Sequence, residues 1–219
     1  IIIEKPLFCN RDEYEFFANV SNTTIHKIYC NTPHYYNTSL LYLSSLKNLG
    51  KVLSYKASGS NWGLCCNLLH DISILDCITG ANEFNLSNFV ALTTSITESK
   101  RAGYFEVFGS LHFSLNKIDC SISCSTEEFV SKVSKITFSN GKVIIDHVAE
   151  TMSILSKDGK SEDMQFFVAK ASATTGDVGL KLLENRNILP YASKYSSLSL
   201  EIYSKITESC DIQLKSELD

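Results

Sequence analysis

The chain lacks any apolar run approaching the 18 or so residues that a membrane-spanning helix needs, so no membrane insertion is expected. It also lacks a C-x-x-C pair, the usual way that thiolates are brought to tetrahedral zinc. The histidines His26, His34, His70, His112 and His147 are scattered singly, and no metal site is expected. Neither a Walker loop nor a G-x-G-x-x-G stretch occurs, so the sequence gives no sign of a cofactor. Charge of one sign is missing as well. Lys+Arg 20 against Asp+Glu 24 leaves a net charge of −4, too balanced for an electrostatic grip on nucleic acid. A nucleophile elbow requires G-x-S-x-G, whereas Gly59-Ser60-Asn61-Trp62-Gly63 puts Asn at the nucleophile position. His70-Asp71 stands near Cys65 and Cys66, but a nucleophilic thiolate must stay unpaired, and His70 reads as an ordinary strand residue. No catalytic centre is legible, and a non-enzymatic protein is expected.

Proline is scarce too: only Pro6, Pro33 and Pro190 punctuate 219 residues, and no repeat or Pro/Gly/Ser linker divides them. A single domain over 1–219 is the simplest organisation, and 44% apolar residues supply a sizeable core.

Cysteine is what the chain has in quantity. Cys9, Cys30, Cys65, Cys66, Cys77, Cys120, Cys124 and Cys210 make an even number, enough for four disulfides. Cys65 and Cys66 are poor partners for each other, because a vicinal bridge is strained. Cys120 and Cys124, if on one strand, lie about 13 Å apart and out of reach. Sequons occur at Asn19, Asn22, Asn37 and Asn85, three of them within residues 19–39. Even cysteines and clustered sequons favour a secreted or ER-lumenal glycoprotein with its signal peptide removed; the other reading is a reduced cytosolic protein with cysteines as small core residues. Lys215-Ser216-Glu217-Leu218 has the shape of a retrieval signal, but Asp219 follows it and should silence it.

Strand signals dominate. Leu198, Leu200, Ile202 and Ile206 share one phase of a half-buried strand, and further strands are expected at Ile25–Tyr29, Asn67–Asp76, Tyr104–Phe108 and Met164–Val168. Leu111, Phe113 and Leu115 alternate on odd positions and Ile118, Cys120 and Ile122 on even ones, so Asn116-Lys117 holds a bulge or tight turn. Asn140-Gly141 predicts a type I′ hairpin between Lys135–Phe138 and Lys142–Ile145, and Asp158-Gly159 a second turn. Two segments read as helices, one from Ser39 to Asn48 closed by Gly50, the other from a Ser125–Glu128 capping box to Val133, and strands are the alternative for both because Phe129-Val130 and the β-branched neighbours suit either. The fold class is therefore mainly β: a disulfide-linked β-sandwich with one or two short helices. Trp62, the only tryptophan, is either an aromatic anchor for a partner or a core plug under its loop.

Four stretches resemble the poxvirus immune-evasion domain, the fold of secreted viral chemokine-binding proteins. They are Cys9–Tyr14 leading to Cys30, Ala57–Leu64 followed by Leu68-Leu69 and Cys77, Asp119–Glu128, and Leu198–Cys210. The spacing of Cys120 and Cys124 is closer than that family's, and its long acidic loop is missing. The resemblance implies a secreted viral immunomodulator that binds and sequesters a host immune protein: a chemokine, a cytokine of GM-CSF or IL-2 type, or MHC class I. The alternative expectation is the receptor-binding domain of a viral envelope glycoprotein. A third class, a cysteine-dependent hydrolase, requires a free reactive thiol.

Overall fold

The structure, a computed structural model, describes residues 2–3, 12, 15–16, 29–32, 34, 37–81, 83–99, 105–168 and 192–216. Two short strands, β1 (Ile2–Ile3) and β2 (Tyr29–Cys30), pair in parallel. Helix α1 (Thr38–Ser45) follows, then a 3-10 turn at Lys47–Leu49, strand β3 (Val52–Ser60) and helix α2 (Leu64–Thr79). Seven more strands come next: β4 (Leu86–Glu98), β5 (Phe105–Leu115), β6 (Ile118–Ser125), β7 (Val133–Phe138), β8 (Gly141–Asp146), β9 (Thr151–Ser156) and β10 (Ser161–Gln165). The last described element is α3 (Ala192–Ser216).

Strands β3 to β10 form one eight-stranded sheet in the order β10-β9-β8-β7-β3-β6-β5-β4. Two antiparallel meanders, β4-β5-β6 and β7-β8-β9-β10, flank β3, and within this sheet, among the described residues, only the β3–β6 pair is parallel. Register aligns side chains of one face into rows that cross the sheet. Phe113, Cys120, Tyr55, Ile136, Val143 and Ile154 make one row, all buried. Leu111, Ile122, Ala57, Ser134, Ile145 and Met152 make the next, in which Ser134 is the single polar member. The opposite face is wetter and carries Lys56, Ser58, His112 and Lys135.

This is not a β-sandwich. Two segments expected as strands, Asn67–Asp76 and the one from Leu198 to Ile206, are helices that pack on the sheet. In α3, Tyr195, Leu198, Ser199, Ile202, Ile206 and Cys210 are all buried, and steps of three and four place them on one helical face. Of the residues read as a strand, Leu198, Ile202 and Ile206 belong to this face at steps of four, a spacing both periods satisfy, whereas Leu200 is only half-buried. Each of the large apolar members contributes about 1.5–3 kcal/mol of burial. Asn67–Asp76 likewise lies within α2, whose Leu64, Leu68, Leu69, Ile72 and Leu75 pack on the sheet. The capping box at Ser125–Glu128 starts no helix: it falls between β6 and β7, where β3 already holds both neighbours in register.

Other local readings hold. Asn116 and Lys117 both adopt positive φ and turn β5 into β6, and Gly159 does the same between β9 and β10. The β7–β8 hairpin forms, but Phe138 pairs with Gly141, so its turn is Ser139-Asn140 rather than Asn140-Gly141, and neither residue takes the positive φ of a type I′ turn. Helix α1 forms, but its cap is Asn37, whose side-chain oxygen accepts from the Leu40 N–H, two residues before the expected Ser39; it ends at Ser45 rather than Asn48, and Gly50 closes the separate 3-10 turn. Ile25 to Ile28 of the expected first strand lie outside the described residues, as does Tyr104; Phe166 to Val168 lie beyond the end of β10.

The disulfide frame is also corrected. Cys77, Cys120, Cys124 and Cys210 carry free thiols, and no disulfide is present among the described residues. Burial pushes the thiols of Cys77 and Cys120 up to about 12, with the Asp76 carboxylate adding to the effect at Cys77. These cysteines serve as small core residues. Cys9 and the side chain of Cys66 lie outside the description.

Candidate functional site

The geometry of α2 begins at Gly63, whose φ of +72° suits glycine, and a Cβ there would run into the Glu106 carboxylate. Glu106, buried on β5, accepts from the Cys65 N–H at 2.6 Å and so caps the helix from across the core. Tyr195 anchors the other end, its hydroxyl donating to Asp76 at 2.7 Å, and the Tyr203 hydroxyl donates to the Cys65 carbonyl at 3.0 Å. With α2 held at both ends, His70 and Asp71 have fixed directions.

His70 faces a cavity of about 210 Å³ lined by His34, His70, His147, Glu150, Phe166 and Val168. Three separate parts of the chain supply the histidines. His34, buried after β2, has its Nδ1 3.1 Å from Ser73 Oγ, while Ser73 Oγ donates to the His70 carbonyl. The His34 and His70 rings meet edge to face at 5.2 Å. His147 and Glu150 come from the turn between β8 and β9, and Phe166 follows β10. The Phe166 N–H donates to the Glu150 carbonyl at 2.7 Å, and its ring stacks on His34 and meets His147 edge-on.

Behind the cavity runs a buried polar chain. His147 Nε2 is 2.8 Å from Ser134 Oγ, which is 3.0 Å from the Tyr55 hydroxyl; that hydroxyl donates to Asp71 at 2.7 Å. Asp71, fully buried, pairs with Lys132 Nζ at 2.8 Å, and Lys132 lies 4.1 Å over the Trp62 ring. Burial first, then the Lys132 charge, depresses His147 to about 4 against the opposing pull of Asp71 and Asp146, so the ring is neutral at neutral pH. Burial raises the Tyr55 hydroxyl well above its ordinary range. A neutral imidazole beside other imidazoles in a half-enclosed cavity is suited to accepting and relaying a proton or hydrogen bond from a bound hydroxyl.

The residues singled out from sequence fall mostly elsewhere. Trp62 is half-buried beneath Lys132 and packs against the core. Asn37 is buried and its amide nitrogen, the atom a glycan would occupy, donates to the Phe167 carbonyl at 2.9 Å. Asn85 is exposed before β4, whereas Asn19 and Asn22 lie outside the described residues. His70-Asp71 does belong to the site, though as part of a helix and with no cysteine partner lining the cavity. His34 and His147 sit 36 and 77 residues from His70 in opposite directions, and nothing in the sequence pattern links them. No group of His, Cys, Asp and Glu among the described residues has the geometry of a metal site.

No protein-family model matches the chain, and no curated protein matches it. Solved structures do. A UDP-N-acetylglucosamine 3-dehydrogenase, GnnA from Acidithiobacillus ferrooxidans, superposes with a TM-score of 0.70 at 13% identity over 95% of this chain and 70% of that one. A super-repressor mutant of Gal80p from Saccharomyces cerevisiae gives 0.70 at 12% identity with the same coverage. An oxidoreductase from Agrobacterium radiobacter, in complex with NAD+, L-tartaric acid and magnesium, gives 0.62 at 12% identity, again over 95% and 70%. These likenesses overturn the resemblance to the viral immune-evasion domain. With it go the viral immunomodulator, the envelope receptor-binding domain, the host immune partner and the expectation of a protein without catalysis, none of which fits a group made up largely of oxidoreductases. The chain shares the fold of these oxidoreductases and of Gal80p.

Proposed function

We propose that the histidine cavity is the substrate site of an oxidoreductase that interconverts a hydroxyl and a carbonyl on a small polar molecule. The observation that carries this reading is the convergence of His34, His70 and His147 from three segments on one cavity of about 210 Å³. The likeness to a dehydrogenase and to oxidoreductases supports it, and one of those oxidoreductases holds NAD+ together with L-tartaric acid. In this reading His70, fixed on α2, would take the hydroxyl proton while the carbon's hydride left for a nicotinamide acceptor supplied from solution, and would return the proton in the reverse direction. His34 orders the helix at Ser73, and Phe166 closes the apolar wall.

A dinucleotide does not fit inside this cavity. The cavity is smaller than the 300–1,000 Å³ of pockets for drug-sized ligands, and no glycine-rich phosphate cradle occurs in the sequence. The reading therefore concerns the substrate and its proton alone. Its test is turnover of NAD+ or NADP+ by the purified protein against a panel of sugar nucleotides, hydroxy acids and polyols, with His70→Gln beside the wild type. Loss of one acid–base group lowers kcat by about 10²–10⁴. Wild-type turnover that His70→Gln leaves unchanged overturns the assignment.

A further inference from the structure

The hydrogen-bond chain behind the cavity has only one consistent set of proton positions. The carboxylate of Asp71, paired with Lys132, can only accept, so the single Tyr55 proton points to it. Tyr55 then has lone pairs alone to offer Ser134, and the Ser134 hydroxyl must donate to Tyr55 across 3.0 Å. With its one proton so used, Ser134 can only accept from His147, across 2.8 Å. His147 therefore carries its proton on Nε2. Its Nδ1 has no hydrogen-bond partner among the described residues, and the ring lines the cavity. The neighbouring cavity carboxyl, Glu150, is exposed at the rim and is also an acceptor.

We propose that His147 is a specificity-determining acceptor, presenting Nδ1 to a hydroxyl of the bound molecule and disfavouring an anionic group there, with Ser134, Tyr55 and Asp71 as positioning residues that set its tautomer. This rests on the cavity being the substrate site. The low affinity of His147 for a proton agrees with it, since the ring does not become a cationic donor at neutral pH. An anion in the cavity would face two acceptors with no donor from either.

Long-range 1H–15N correlation on histidine-labelled protein reads the tautomer directly. The wild type is expected to show His147 neutral and protonated on Nε2. In Tyr55→Phe the Ser134 proton is released to donate to Nε2, and the tautomer should move to Nδ1–H, with circular dichroism checking that the fold is kept. A wild type protonated on Nδ1, or a folded Tyr55→Phe with an unchanged tautomer, overturns the proposal. Sorbitol and gluconate, of equal length and differing by a carboxylate, are then titrated in. Sorbitol should shift the His147 signals and gluconate should bind about tenfold more weakly, the value of one hydrogen bond. Shifts at His70 and His34 with equal affinities for the two probes overturn the role of His147 alone. No shift at any of the three histidines removes the substrate site itself, and this proposal with it.

Discussion

At the residue scale, Asp71 joins stability to function. It is wholly buried, its two oxygens engage Tyr55 and Lys132, and its neighbour His70 faces the cavity. Asp71→Ala leaves Lys132 without its partner in a largely buried position and is expected to lower unfolding free energy by about 3–5 kcal/mol, measured by urea denaturation. His147 gives a second expectation, with a definite sign. Its folded value near 4 lies below its ordinary 6.5, so at pH above 6.5 both states hold it neutral and its contribution is complete. As pH falls from 6.5 to about 4 the unfolded chain takes up a proton that the folded one refuses, and about 3 kcal/mol is lost. The charged groups acting on the ring are Lys132, Asp71 and Asp146, with Glu150 at the cavity rim. Stability of His147→Gln measured across that range should be flatter than that of the wild type.

At the scale of elements, legibility depended on whether a pattern had one physical meaning. Asn116-Lys117 had one: a change of inward phase between Leu115 and Ile118 requires a turn, and both residues take the φ that supplies it. Leu198, Ile202 and Ile206 had two, because a spacing of four serves strand and helix alike; Tyr195 and Ser199, buried at odd positions, break the alternation and decide for the helix. Asn67–Asp76 is β-branched only at Ile72 and Ile74, weak grounds for the strand read there. Ile202→Ala, which opens a cavity between α3 and the core, is expected to cost about 2–5 kcal/mol in a denaturation experiment. Gly109→Ala places a Cβ against the Leu92 carbonyl at a φ of +139°, where the β4–β5 register shifts, and should cost about 2 kcal/mol or more.

For the whole molecule, the fold was half legible. The hairpins and inward rows of the sheet follow from local alternation, but whether strands meet a second sheet or a layer of helices depends on elements distant in sequence. The cysteines misled because parity is a property of the count, while pairing needs thiols brought together, and the thiols of Cys77, Cys120, Cys124 and Cys210 sit apart in the core. Alkylation after denaturation without reductant should modify all four, and mass spectrometry of the peptides reads this out. The site was the least legible part, since His34, His70 and His147 become neighbours only through α2, the β8–β9 turn and the segment after β2.

A crystal structure of the protein with the best substrate from the turnover panel decides the role of the histidine cavity. The reacting hydroxyl is expected about 2.6–3.2 Å from the His70 imidazole, with His34, His147 and Phe166 around the ligand. A ligand seated instead in the open trough of Ser58, Gly59, Ser110 and Ser123 on the far face of the sheet would contradict it.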